Sequence, residues 1–144
     1  VKQPTPSGVQ QMDFYMQNKP SLQNGLKNVG LRKRKQTNKI IIDCTNTPDY
    51  LDVTLKQLDK QHRQEGVLGL KSHFIITLDG KVQTGRESNS VGYKIPADAV
   101  GILLVGTSNF NLHQLTSLRN LIQELKELYG AIVVTNNTTT EIKI

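Results

Sequence analysis

Few side chains in this sequence can serve as nucleophile, base or metal ligand: three histidines, one cysteine and scattered carboxylates. Nucleophilic catalysis needs a base within reach of the attacking group. Cys44 has no histidine near it in sequence and follows the apolar run Ile40-Ile41-Ile42, the setting of an inert core thiol. Ser72 lacks a base and no Gly-x-Ser-x-Gly elbow is present. Gly66, Gly69 and Gly80 do not make a phosphate-binding fingerprint. His62, His73 and His113 are too far apart to form an i, i+4 ligand pair, and His62 continues the stripe Leu51, Leu55, Leu58. No two carboxylates share an apolar frame. The remaining chemical feature is Arg32-Lys33-Arg34-Lys35. Clustered cations release condensed counterions from phosphates, so this run could touch nucleic acid. It is short and has no interleaved aromatics, which fits a solvated or protein-docking segment better than a stacking platform.

The charge has a location. Eight of the 18 cations lie in residues 1–39 against one acid, Asp13, leaving a net −1 for residues 40–144 of a chain whose total is +6. Between Pro4 and Pro20 no helical or strand period is sustained, so residues 1–38 read as a basic, extended N-terminal arm. Met12, Phe14, Tyr15 and Met16 form an apolar cluster inside it, and with Arg32, Lys33, Arg34 and Lys35 they are the candidate partner-binding residues. A length of 144 residues has room for one core, placed at residues 39–144. A single cysteine excludes an internal disulfide and suits a reducing compartment. No stretch approaches the roughly 18 apolar residues of a membrane span.

Beyond Lys39 the pattern becomes periodic. Ile40-Ile41-Ile42 predicts a strand buried on both faces. Thr47-Pro48 offers a helix start, with Leu51, Leu55, Leu58 and His62 on one face and Gly66 as the stop. His73 to Leu78 and Lys81 to Thr84 are strands about an Asp79-Gly80 turn, and Gly101 to Val105 is a second buried run. Asn111 and Gln114 form a capping box that opens a Leu-rich helix ended by Gly130. Ala131 to Thr135 is the last strand. The fold class is α/β, a mixed central sheet flanked by helices.

These elements resemble the zinc amidases that cut peptidoglycan, the family of short phage lysozymes and animal peptidoglycan recognition proteins. The resemblance spans about residues 40–137. It is carried by the His62-to-Gly66 helix end, Ser72-His73-Phe74-Ile75-Ile76, Asp79-Gly80-Lys81-Val82 with Gly85-Arg86, Val100-Gly101 through Val105-Gly106, and Gly130 through Asn137. Asn109-Phe110 and Ser117-Leu118-Arg119 are similar to the phage branch. Such enzymes hydrolyse the amide between N-acetylmuramic acid and L-alanine with a catalytic zinc, which requires three protein ligands and an open position for water. The resemblance places those ligands on Asp43, Asn136 and Ile144, and the family's substrate-polarising tyrosine on Ser72. It also implies that His73 packs inside. The segment Val91 to Ala99 is shorter than in the family and lacks its histidine and asparagine.

One carboxylate among three ligand positions implies no zinc and no other cofactor. The expectation is therefore a catalytically inactive, amidase-like protein, a structural component of a bacteriophage virion assembled in the host cytoplasm, whose arm binds neighbouring virion subunits. Two alternatives are a regulator that binds the phage RNA polymerase and a protein that binds peptidoglycan without cleaving it.

Overall fold

Six residues, Lys39–Cys44, form β1 near the middle of a five-stranded sheet. In this computed structural model residues 32–143 are described; Met12, Phe14, Tyr15, Met16 and Ile144 lie outside them. β1 is flanked by two parallel neighbours, β4 (Ala99–Leu104) and β5 (Val133–Asn136), with Ile42 opposite both Ile102 and Asn136. β2 (Phe74–Ile76) runs parallel to β4, and β3 (Val82–Thr84) pairs antiparallel with β2. The order is β3-β2-β4-β1-β5, a mixed sheet. Helices α1 (Leu55–Gln64) and α2 (Leu112–Tyr129) flank it, the α/β architecture expected from the alternation of runs.

Side chains alternate across a strand, and β1 puts this to use. Ile40, Ile42 and Cys44 are buried in a core with Ile102, Leu104, Phe74 and the α2 residues Leu118, Ile122 and Leu125. Ile41 is only half-buried and Asp43 is exposed. The expected burial of β1 on both faces therefore fails at Ile41. On that second face Leu58 of α1 packs with Ile75, Leu103 and Val105, leaving the β1 end uncovered. This gap makes the site.

Helix α1 begins seven residues after Pro48. Its N-cap is Thr54, whose hydroxyl accepts from Gln57 N while the Gln57 side chain accepts from Thr54 N. Residues 47–53 are not helical, and Thr47 and Asp49 are tied elsewhere, Thr47 O accepting from Thr107 Oγ1 at 2.7 Å. The Asp49 carboxylate accepts from Thr107 N at 2.7 Å and Ser108 N at 3.1 Å, and these bonds hold it below the usual carboxylate range. Leu51 consequently stays exposed.

Helix α2 follows its sequence signals closely. Asn111 accepts from Gln114 N and Gln114 Oε1 accepts from Asn111 N, and Gly130 ends the helix at φ 85°. Asn111 Nδ2 also donates to Leu78 O at 2.7 Å, tying the cap to the end of the β2 segment. Asn111→Ala should destabilise the fold by about 1–2 kcal/mol in urea titration, since a cap and a second bond vanish together.

Candidate functional site

Where the sheet is left uncovered beside α1, a cleft of about 650 Å³ opens. Ile41, Gly101 and Leu103 belong to its sheet side, Leu58 and His62 to α1, and Asp43 with Asn46 to the end of β1. The loop after α1 adds Lys71 and Ser72, and the turn before β4 adds Tyr93 to Pro96. Parallel strands bring their carboxyl ends to one edge, so residues distant in sequence converge there.

Two carboxylates of the cleft differ in state. Glu65 accepts from Lys71 Nζ at 2.7 Å and from Gln61 Nε2 at 3.3 Å, and the lysine holds it below its ordinary range. Asp43 forms no ion pair among the described residues. Its Oδ1 accepts from Cys44 N at 2.8 Å, which orients an exposed carboxylate at the strand end. Asp43 is thus the uncompensated negative charge of the cleft.

His62 is buried, and its Nδ1 accepts from Lys71 N at 3.2 Å. Burial, and then the Lys71 charge, lowers its pKa, so the ring is neutral with its proton on Nε2. Cys44 donates from Sγ to Asn46 Oδ1 at 3.3 Å, and burial pushes the thiol up, away from the reactive thiolate. His73 is fully buried behind the cleft. Its Nε2–H donates to Ser90 O at 2.7 Å and its Nδ1 accepts from Gly101 N at 2.9 Å. Ser72 is buried at the cleft edge, and His113 shows no partner role there.

Of the four positions assigned by resemblance, Ile144 lies outside the described residues, and Asp43, Ser72 and Asn136 are not gathered into one cluster. Asp43 and Ser72 line the cleft, whereas Asn136 does not; its neighbour Asn137 does. Asn136 pairs in register with Ile42, its Nδ2 donates to Thr140 O at 2.8 Å, and its Oδ1 accepts from Thr138 N at 2.9 Å. Among the described residues no three of His, Cys, Asp or Glu stand together as a metal site would require. The described donors do not fit a three-ligand zinc.

The basic run is divided by the fold. Lys33 bridges to Ser90 in extended backbone, so alternate residues face opposite ways. Arg32, Lys33 and Lys35 are exposed. Arg34 turns inward, donating to Ser88 O, Ser90 O, Thr37 Oγ1 and Tyr129 OH, with its guanidinium 5.5 Å from the Tyr129 ring centre. Its four bonds are spent within the domain. Tyr93 and Lys94 fall in the Val91 to Ala99 segment that the resemblance set apart, whereas Glu65 and Lys71 carried no chemical signal in sequence and acquire meaning only through their neighbours.

A five-stranded mixed sheet with one helix on each face and an open cleft at the end of β1 matches the amidase and peptidoglycan-recognition class of fold. No protein-family model matches the chain. It is 33% identical over 121 residues to the endolysin of Klebsiella phage KP32, covering 76% of this chain and 80% of that one. It is 30% identical over 117 residues to the endolysin of Escherichia phage T7, covering 74% and 78%. Among solved structures, the endolysin N-acetylmuramoyl-L-alanine amidase LysCS from Clostridium intestinale aligns with a TM-score of 0.68 at 30% identity, covering 74% of this chain and 72% of that one. Drosophila peptidoglycan recognition protein LB shares the fold, with a TM-score of 0.64 at 21% identity.

The chain belongs to the phage endolysin family of N-acetylmuramoyl-L-alanine amidases. This membership corrects the expectation that it is not an enzyme. Relatives that span most of its length are endolysins, whereas the expectation of inactivity rested on the transferred ligand positions, the Ser72 position and the lack of a nucleophile–base pair in sequence. Counting donors at those positions tests one way of holding one metal; it does not test hydrolysis.

Proposed function

We propose that the chain hydrolyses an amide of peptidoglycan, with the sugar–peptide junction lying in the cleft beside α1 and Asp43 acting as the general base. The observation that carries this reading is the exposed Asp43 carboxylate, oriented by Cys44 N and free of any ion pair among the described residues, at the open end of β1. A base must keep its charge and reach a water next to the scissile carbonyl. Glu65 is neutralised by Lys71, and His62 has its Nδ1 lone pair occupied, so Asp43 fits the role best. In the step proposed, water oxygen bonds to the carbonyl carbon, Asp43 takes its proton, and the same proton passes to the leaving amine as the C–N bond breaks.

The endolysin relatives and the shared fold support peptidoglycan as the substrate. Purified full-length chain incubated with sacculi should co-sediment with them and release peptides with new free amino termini. Sacculi that neither retain the protein nor lose peptide would overturn the reading.

A further inference from the structure

Between β3 and β4 the chain runs through residues 85–98 without helix or strand. A loop of that length keeps one shape only if groups outside it fix its backbone. Its later part, Tyr93 to Pro96, lines the cleft, so whatever fixes the loop also shapes the cleft wall.

The fixing comes from two sides. From within the domain, His73 Nε2–H donates to Ser90 O and Arg86 Nη1 donates to Val91 O at 3.1 Å. A Cβ at Gly92 would lie 2.7 Å from Ile95 Cδ1 and 3.2 Å from His73 Cε1, so the loop rests directly on that ring. The other side is the segment before β1. Arg34 N donates to Asn89 O at 2.7 Å and Val91 N donates to Arg32 O at 2.8 Å, an antiparallel clasp about the Lys33–Ser90 bridge. The Arg34 guanidinium closes it. Nη1 reaches Ser88 O at 2.7 Å and Ser90 O at 2.9 Å, while Nη2 donates to Tyr129 OH at 3.0 Å at the end of α2. Ser90 O thus accepts from Arg34 and from His73, whose other ring nitrogen accepts from Gly101 N on β4. One carbonyl joins the segment before β1 to the sheet beneath the cleft.

None of Arg34, Ser88, Ser90 or Tyr129 lines the cleft itself. The task at position 34 suits an arginine, because a planar fork can serve two carbonyls, a threonine hydroxyl and a phenol together. We propose that Arg34 is a positioning residue for the cleft: it grips the Ser88 and Ser90 carbonyls from outside and so sets where Tyr93 to Pro96 stand against the ligand. The consequence for turnover rests on the peptidoglycan reading above, whereas the placement of the turn does not.

Arg34→Gln, Arg34→Lys and Tyr129→Phe in the full-length protein test it with two readouts. Amide hydrogen exchange compares Tyr93, whose N–H donates to Lys71 O, with Ile102 within β4. Arg34→Gln should speed exchange at Tyr93 about tenfold and leave Ile102 unchanged, the scale of one lost hydrogen bond to a charged group felt as local opening. In peptide release from sacculi its KM should rise by a similar factor while kcat stays near wild type, because a displaced wall loses binding shared by ground and transition states. Arg34→Lys keeps the charge but not the fork, and should repeat most of both changes. Tyr129→Phe keeps the ring and removes one acceptor. It should show a smaller change of the same pattern, and it carries the test if Arg34→Gln fails to fold.

Unchanged exchange at Tyr93 would overturn the proposal. Equal acceleration at Tyr93 and Ile102 would overturn it too, since that marks a loss of global stability alone, and so would an unchanged KM beside a wild type that releases peptide. A wild type that neither binds nor digests sacculi would overturn the peptidoglycan reading, and the exchange comparison would still decide the role of Arg34.

Discussion

Asp43→Asn should lower peptide release from sacculi by about 100-fold or more, within the range that a positioned general base contributes. The substitution is close to isosteric. Asn Oδ1 can still accept from Cys44 N, and the exposed position adds no cavity, so stability should stay within about 0.5 kcal/mol of wild type. Co-sedimentation with sacculi should persist, because ligand contacts elsewhere in the cleft are untouched. Loss of turnover with intact binding and folding separates a base from a structural carboxylate. Glu65→Gln serves as the comparison: it breaks the ion pair with Lys71 but should reduce release far less. A variant lacking Asp43 that releases peptide at the wild-type rate would remove it from the mechanism.

His73→Ala should destabilise the fold by about 3–5 kcal/mol. Truncation leaves a cavity and also strands the buried Ser90 carbonyl and Gly101 N–H, which the ring now joins across the site. The same ring sets an acid limit. Burial first, with smaller contributions from Arg34 and Arg86, lowers its pKa from 6.5 to about 4, against the Ser90 carbonyl, which raises it. A folded-state value below the unfolded one means the unfolded chain binds the proton first as pH falls. The stabilisation is therefore complete above pH 6.5 and is lost between pH 6.5 and about 4. At about 1.4 kcal/mol per unit the loss amounts to roughly 3 kcal/mol. Burial shifts His62 in the same direction, so the difference between wild type and a variant is the quantity to measure. His73→Gln keeps a donor and an acceptor but cannot titrate, and urea titrations at pH 7 and 4.5 should show a smaller pH difference for it than for wild type. Identical pH differences would show that His73 is not the sensing group.

Much of this molecule was legible in the chain because its signals are local. The Asn111–Gln114 capping box, the Gly130 stop and the Asp79-Gly80 turn depend on residues within a few positions of each other, and the structure places each as expected; of the α2 leucine stripe, Leu118, Leu121 and Leu125 are buried while Leu112 and Leu128 are exposed. The start of α1 was misplaced at Thr47-Pro48, because Asp49 is bonded to Thr107 and Ser108, some sixty residues away, and the helix opens only at the Thr54 cap. The positions implied by the resemblance meet distant constraints as well. Spacing puts Asn136 at the end of the last strand, but parallel register with Ile42 and its own bonds to Thr138 and Thr140 keep it out of the cleft that Asn137 lines. The cleft itself was invisible in sequence. It exists because α1 covers Leu103 and Ile75 but stops short of Ile41 and Asp43, and because Gly92 and Gly101 admit Ile95. Periodicity and caps are properties of neighbouring residues and survive in a string. Register, helix reach and the charge left unpaired at Asp43 depend on which distant segments meet, and only the folded chain decides that.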